Sequence, residues 1–218
     1  METRKGRRAL SALLILLGLA TLGGALGLVL HNMRENNRAA EASQYALARI
    51  IETRPELRLP EPTPPPTEGG MEEYVEPVIP DMPTKEIDGW NYIGTLAIPS
   101  LELELPVMDD WDMDRLKYSP CRYQGNYYAD DLVICGHNFP SHFSPIKFIE
   151  VGAEVTFTNV EGVVYRYIVS NRETVRPTDV QYMIDNQSDT AEKWDLTLFT
   201  CNTGGQTRCA VRCIRADG

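Results

Sequence analysis

Histidine is scarce in this chain, with three among 218 residues, and there are only five cysteines. Cys121, Cys135, Cys201, Cys209 and Cys213 are too few and too irregularly spaced for a small disulfide scaffold, and no CxxC pair suggests zinc. No cofactor and no required metal are therefore expected. The odd count leaves at least one thiol free unless chains pair. Basic charge is thin beyond the first eight residues: from His31 onward 17 Lys and Arg face 30 Asp and Glu, a net charge of −13. Phosphate binding needs a positive surface, so nucleic acid is not an expected partner. Sustained 3.6-residue periodicity is missing beyond Ile87, which argues against a helical domain there.

What the chain does contain is a long apolar run. Ala9 to Leu30 carries no charge over 22 residues, enough for a helix to cross a hydrocarbon core of roughly 30 Å. The run exceeds the apolar part of a signal peptide and no A-x-A site closes it, so a retained anchor is expected rather than a cleaved leader. Arg4, Lys5, Arg7 and Arg8 precede it. The positive-inside rule then makes residues 1–8 a cytoplasmic head, 9–30 a single membrane span, and everything after it extracellular. Residues 31–85 read as a stalk. They are weakly helical from Asn32 to Arg54, then proline-rich in PEPTPPPTEGG from Pro60 and at Pro77, Pro80 and Pro83. The folded domain is expected over 86–218.

That domain reads as β. Short β-branched, aromatic and leucine-rich runs lie at Tyr92–Ile98, Leu101–Val107, Asp131–Cys135, Glu154–Thr158, Val163–Ser170, Trp194–Thr200 and Arg208–Ile214, separated by turn residues. Asn159 to Gly162 suggests a hairpin connection, and short helices fit Met113–Lys117 and Ser144–Ile149. Seven or more strands in about 130 residues imply a sandwich or a closed barrel, and closure removes exposed edges.

Candidate chemistry sits at strand ends. His137 follows the apolar strand DLVIC and a glycine, a position that is fixed by the strand yet reaches a ligand, as suits a general acid or base. A plain surface-loop histidine fits the same position, and His142 five residues on reads as a bystander. Cys201 ends WDLTLFT before a glycine-containing loop, where a thiol is exposed and reactive. Cys135, Cys209 and Cys213 lie inside strands as small buried groups. Cys121, in a tyrosine-rich loop, is the alternative nucleophile. Arg208 opens the last strand, RCAVRCIR, and can meet Cys201 on a common barrel rim if the two strands are antiparallel neighbours. There its guanidinium suits the oxyanion of a tetrahedral intermediate. Arg212 and Arg215 are rivals for that role.

Taken together, TLFTC at Thr197–Cys201, GHN at Gly136–Asn138 and RCAVR from Arg208 resemble the sortases, the cysteine transpeptidases of Gram-positive cell surfaces. GWNYIGTLAIPSLELELPV from Gly89 and HFSPIKFIEVGAEVTF from His142 are similar to further stretches of that family. The His, Cys, Arg order counts against papain-type hydrolases, which place Cys first. The resemblance implies an all-β fold: a closed eight-stranded β-barrel with one or two short helices, behind a transmembrane helix and a Pro-rich linker. It carries the nucleophile onto Cys201, the general acid and base onto His137, and the oxyanion and substrate clamp onto Arg208. Thr200 and Asn138 are expected to help line the site. The segment from Val175 to Ile184 should form the wall that reads substrate, with Val175 and Ile184 as contacts. The implied substrates are secreted proteins with a C-terminal LPxTG-like sorting signal. The implied acceptor is an amine from a peptidoglycan precursor or a pilin lysine. Asp88-Gly89-Trp90 is the nearest match to an inhibitory lid motif and reads instead as part of the barrel. A non-catalytic binding barrel and a Cys-dependent cell-wall hydrolase are the competing functions.

Overall fold

The computed structural model describes residues 2–61, 79–185 and 193–216. The chain divides into two compact units, Met1–Arg38 and Ala39–Gly218. The first consists of the greater part of helix α1 (Glu2–Thr53). Among the described residues it contains the one helix long and apolar enough, by length and composition, to cross a membrane. Its leucines, Leu14, Leu17 and Leu28 among them, are exposed, a surface that water disfavours and hydrocarbon accepts.

The second unit is a barrel. Its strands are β1 (Lys85–Ile87), β2 (Trp90–Ile98), β3 (Leu103–Met108), β4 (Cys121–Gln124), β5 (Leu132–Gly136), β6 (Glu154–Asn159), β7 (Val164–Val175), β8 (Leu196–Cys201) and β9 (Arg208–Arg215). Eight of them close in the order β2-β3-β4-β5-β8-β9-β7-β6, with β6 pairing back onto β2. This is the closed eight-stranded barrel expected. β1 is a short hairpin extension of β2, joined to it through Asp88 and Gly89, both at positive φ (50° and 81°). Asp-Gly at such a two-residue turn matches the twist of the strands it joins. Asp88-Gly89-Trp90 is therefore strand and turn, as expected.

The strands around β8 are buried on both faces, which is why they read as continuous apolar runs rather than as alternation. Leu132 and Ile134 of β5, Leu196 and Leu198 of β8, and Cys209, Val211 and Cys213 of β9 point into the barrel. Val133, Cys135, Phe199 and Ala210 point out, into a second apolar cluster. That cluster is covered by Ala46 and Ile50 of α1 and by Met183 of a short helix, α2 (Val180–Ile184).

Several expectations need revision. The compact unit starts at Ala39, so the boundary expected at Glu86 leaves out a helical segment that packs on the barrel through Ala39, Ser43, Ala46, Leu47 and Ile50. The chain then continues along the β6–β7 hairpin, where Arg58 exchanges backbone hydrogen bonds with Gly162 and Val164. Most of the proline-rich spacer, residues 62–78, lies outside the described residues. Cys121 is in a strand, not a loop, and is fully buried. β7 runs on to Val175 because, past a bulge between Val169 and Asn171, it keeps pairing with β9. The short helices expected near 115 and 146 are 3-10 turns, Arg115–Lys117 and Ser144–Phe148.

Gly136 closes β5 with no room for a side chain: a Cβ there would lie 2.4 Å from the Phe143 ring. Gly136→Ala is expected to destabilise the protein by about 1–3 kcal/mol through overpacking, read as a lower midpoint in urea with an unchanged slope.

Candidate active site

Three neighbouring strands build the site. β5 and β8 run parallel with Gly136 opposite Thr200, and β8 and β9 run antiparallel with Cys201 opposite Arg208. His137 is the first residue after β5, so the register brings His137, Cys201 and Arg208 to one level from three separate strands. Thr200 secures that level: its buried hydroxyl donates to the Gly136 carbonyl at 2.8 Å. All three residues line one cleft of about 320 Å³, together with Thr200 and Asn138.

The cleft opens on the outward face of the barrel, at the ends of β5 and β8 and the start of β9. Cys201 shares the outward parity of Phe199, and Arg208 that of Ala210, both in the outer cluster. One side is formed by Pro177, Val180 and Met183 from the β7–β8 connection, the other by Trp111, Met113 and Leu116. Within the Val175–Ile184 segment the residues that face the cleft are thus not the two contacts named from the sequence. Val175 is buried in the outer cluster, and Ile184 is not among the lining residues. Trp111, Met113 and Leu116 were not anticipated. Apolar side chains in an acidic loop are their only signal in the sequence.

Cys201 is half-buried, whereas the other four thiols are buried. Burial pushes the thiols of Cys121, Cys209 and Cys213 up, and that of Cys135 up to about 12, which suppresses their thiolates. Cys121, the alternative nucleophile, has no exposed surface and donates to the Ser119 carbonyl at 3.3 Å. Burial, reinforced by the positive charge of Lys117, holds the His137 imidazole below the usual histidine range. Its ring stacks on Phe139, with centroids 3.7 Å apart and planes within 17°. Arg208 donates from one terminal nitrogen to the carbonyls of Gly205 (2.9 Å) and Thr207 (3.2 Å). Its other nitrogens make no hydrogen bond to the described residues.

Both rival arginines are engaged elsewhere. Arg212, 0% exposed, donates to Glu173 (2.9 Å), to Thr197 Oγ1 (2.9 Å) and to the carbonyls of Met183 (3.0 Å) and Tyr182 (2.8 Å), and it stacks over Trp194 at 4.5 Å. It is the fastening that ties α2, and with it one side of the cleft, to the barrel. Arg215 pairs with Asp130 and stacks over Tyr165. Asn138 lines the cleft while accepting a hydrogen bond from Lys147. Asp195 accepts from the Arg215 backbone at 2.7 Å, a structural contact. Among the described residues no group of three or more His, Cys, Asp or Glu side chains is arranged to hold a metal ion.

The family model for the sortase domain matches residues 96–216. The chain belongs to the sortase family. The match takes in the strands that carry all three cleft residues. Among solved structures, sortase A from Corynebacterium diphtheriae is similar, with a TM-score of 0.50 and 21% identity over 59% of this chain and 62% of that one. Its lid mutant gives 0.49 and 22% over 58% and 70%. A sortase C from Clostridium perfringens, solved with the C-terminal cell wall sorting motif, gives 0.49 and 21% over 58% and 71%. At these identities the likeness concerns the fold. No curated protein matches the chain. Transpeptidation is the general chemistry of that family.

Two outcomes are expected. Arg212→Met removes the donors for the Tyr182 and Met183 carbonyls and leaves Glu173 without its cation. Amide exchange across Val180–Ile184 should therefore rise well above that of β8, and Arg212→Lys should not restore it, because an ammonium lacks the planar fork. His142 gives the second. It is buried, and burial pulls its imidazole down to about 4. Between about pH 6.5 and 4 the unfolded chain binds a proton there that the folded one refuses, so stability falls as pH falls. The loss should reach about 3 kcal/mol. Urea titrations at pH 7, 5.5 and 4 measure it, and His142→Gln should flatten the dependence relative to the parent.

Proposed function

We propose that the chain cleaves an LPxTG-like sorting motif of secreted proteins through Cys201 and transfers the acyl group to an amine. What supports this is the alignment of a thiol, an imidazole and a guanidinium along one cleft, from three adjoining strand ends. His137 takes the thiol proton as Cys201 Sγ bonds to the scissile carbonyl carbon. The oxygen's developing charge is met by the Arg208 nitrogens that Gly205 and Thr207 leave free, a donor effect typically of about 3–4 kcal/mol. As the intermediate collapses, the C–N bond breaks, His137 gives its proton to the leaving amine, and a thioester remains. An acceptor amine then attacks the thioester carbonyl and loses a proton to His137, and the sulfur departs and is reprotonated. One acyl bond is exchanged for another, so no nucleotide is consumed.

The apolar sides of the cleft, with Trp111, Met113, Val180 and Met183, suit the leucine and proline of such a motif. Burial favours the neutral form of His137, the form that can accept the thiol proton. The acceptor is a peptidoglycan stem peptide or a pilin lysine. In the same reading residues 9–30 anchor the chain in the cell membrane, residues 1–8 stay in the cytoplasm, and the cleft works outside.

The test is incubation of the full chain in detergent with a library of sorting-motif peptides, with and without added amine, followed by mass measurement. A thioester on Cys201 and an amide-linked adduct are expected, both lost in Cys201→Ala, with a bell-shaped pH dependence. Arg208→Ala should lower kcat by about 10²- to 10³-fold. A carboxylate product alone, with amine in excess, would make the chain a hydrolase. Five thiols alkylated at one slow rate would make it a binding barrel.

A further inference from the structure

Among the described residues no hydrogen-bond partner orients the His137 imidazole through Nδ1. That nitrogen is buried, and no carboxylate or carbonyl of those residues fixes the ring from that side. The stack on Phe139 takes that place, and Phe139 in turn meets the buried His142 ring at 5.7 Å. Around these rings the loop is tightly bonded: Phe143 N donates to His137 O at 3.2 Å, and His142 N to Phe139 O at 3.0 Å. The loop's outer support is α1. Ser43 Oγ donates to the Tyr118 carbonyl at 2.7 Å and lies 3.0 Å from His142 Nε2. A hydroxyl has one proton to give, and here it goes to Tyr118, so His142 Nε2 is the donor in the second bond. Ser43 thus joins two loops that approach His137: the one that carries Lys117 and the one that carries Phe139.

We propose that the Ala39–Thr53 segment of α1 is a positioning element of the catalytic site, acting on His137 through Ser43, His142 and Phe139. Ser43 is the positioning residue. The segment presents small residues at the contact, Ala39, Ser43 and Ala46, each at most 2% exposed, so the helix backbone sits close enough for a serine hydroxyl to reach both loops. A catalytic domain cut at Glu86 would lack this support. The inference rests on the assignment of His137 as proton carrier, but it can fail separately.

The test uses the full chain in detergent with Ser43→Ala, compared with the parent and with Arg49→Ala, whose side chain is exposed on the same segment. Two quantities are read well below the melting temperature: the steady-state constants for transfer to an amine, and the NMR titration of the imidazoles, of which there are three. Ser43→Ala is expected to lower kcat about tenfold with KM within about twofold, as a small misplacement of a reacting group does. It should also shift the His137 titration midpoint, while Arg49→Ala, on the exposed face of the same segment, leaves both quantities unchanged. An unchanged His137 titration in Ser43→Ala overturns the proposal, whether kcat holds or falls with stability alone. Absence of any thioester in the parent would defeat the proposed function instead, and the His137 titration would still decide the positioning role.

Discussion

Everything at the cleft depends on the hydrogen-bonded register of one strand. β8 pairs in parallel with β5 on one side and antiparallel with β9 on the other. Those two ladders bring His137 and Arg208 to the level of Cys201 although 71 positions separate them along the chain. A one-residue slip in either ladder would turn a reactive side chain to the opposite face of the sheet. Burial of β8 on both faces forbids such a slip, because Leu196 and Leu198 fill the barrel while Phe199 fills the outer cluster. Thr200, spending its hydroxyl on Gly136, pins the same register at the site itself.

Around that core the supports are polar and specific. Arg212 is costly to bury, and a buried ion pair adds little net stability against an apolar replacement. Its four hydrogen bonds are worth more as geometry, since they hold a five-residue helix that could not persist alone. The N-terminal helix does the equivalent for the histidine loop through a single serine. Arg212 closes the RCAVR motif itself, whereas Ser43 lies outside every motif quoted.

The barrel strands were largely legible because β-branched and aromatic runs alternate with turn residues, and the His, Cys and Arg ends followed from where those runs stop. β4 escaped because CRYQ is half polar and its burial comes from neighbours distant in sequence. α2 is too short to show a period. The Ala39–Thr53 contact was hidden for a different reason: its buried stripe is built from alanine and serine among charged residues, which resembles a solvated stalk. The face that the cleft takes was left open because strand ends alone do not say to which side a side chain turns. Parity relative to Phe199 and Ala210 decides that, and it requires knowing which face fills the barrel.

A cleft on the outer face of a barrel is entered from the side, unlike a pore. An extended polypeptide can therefore be laid across it sideways and lifted off again without a free end ever being threaded.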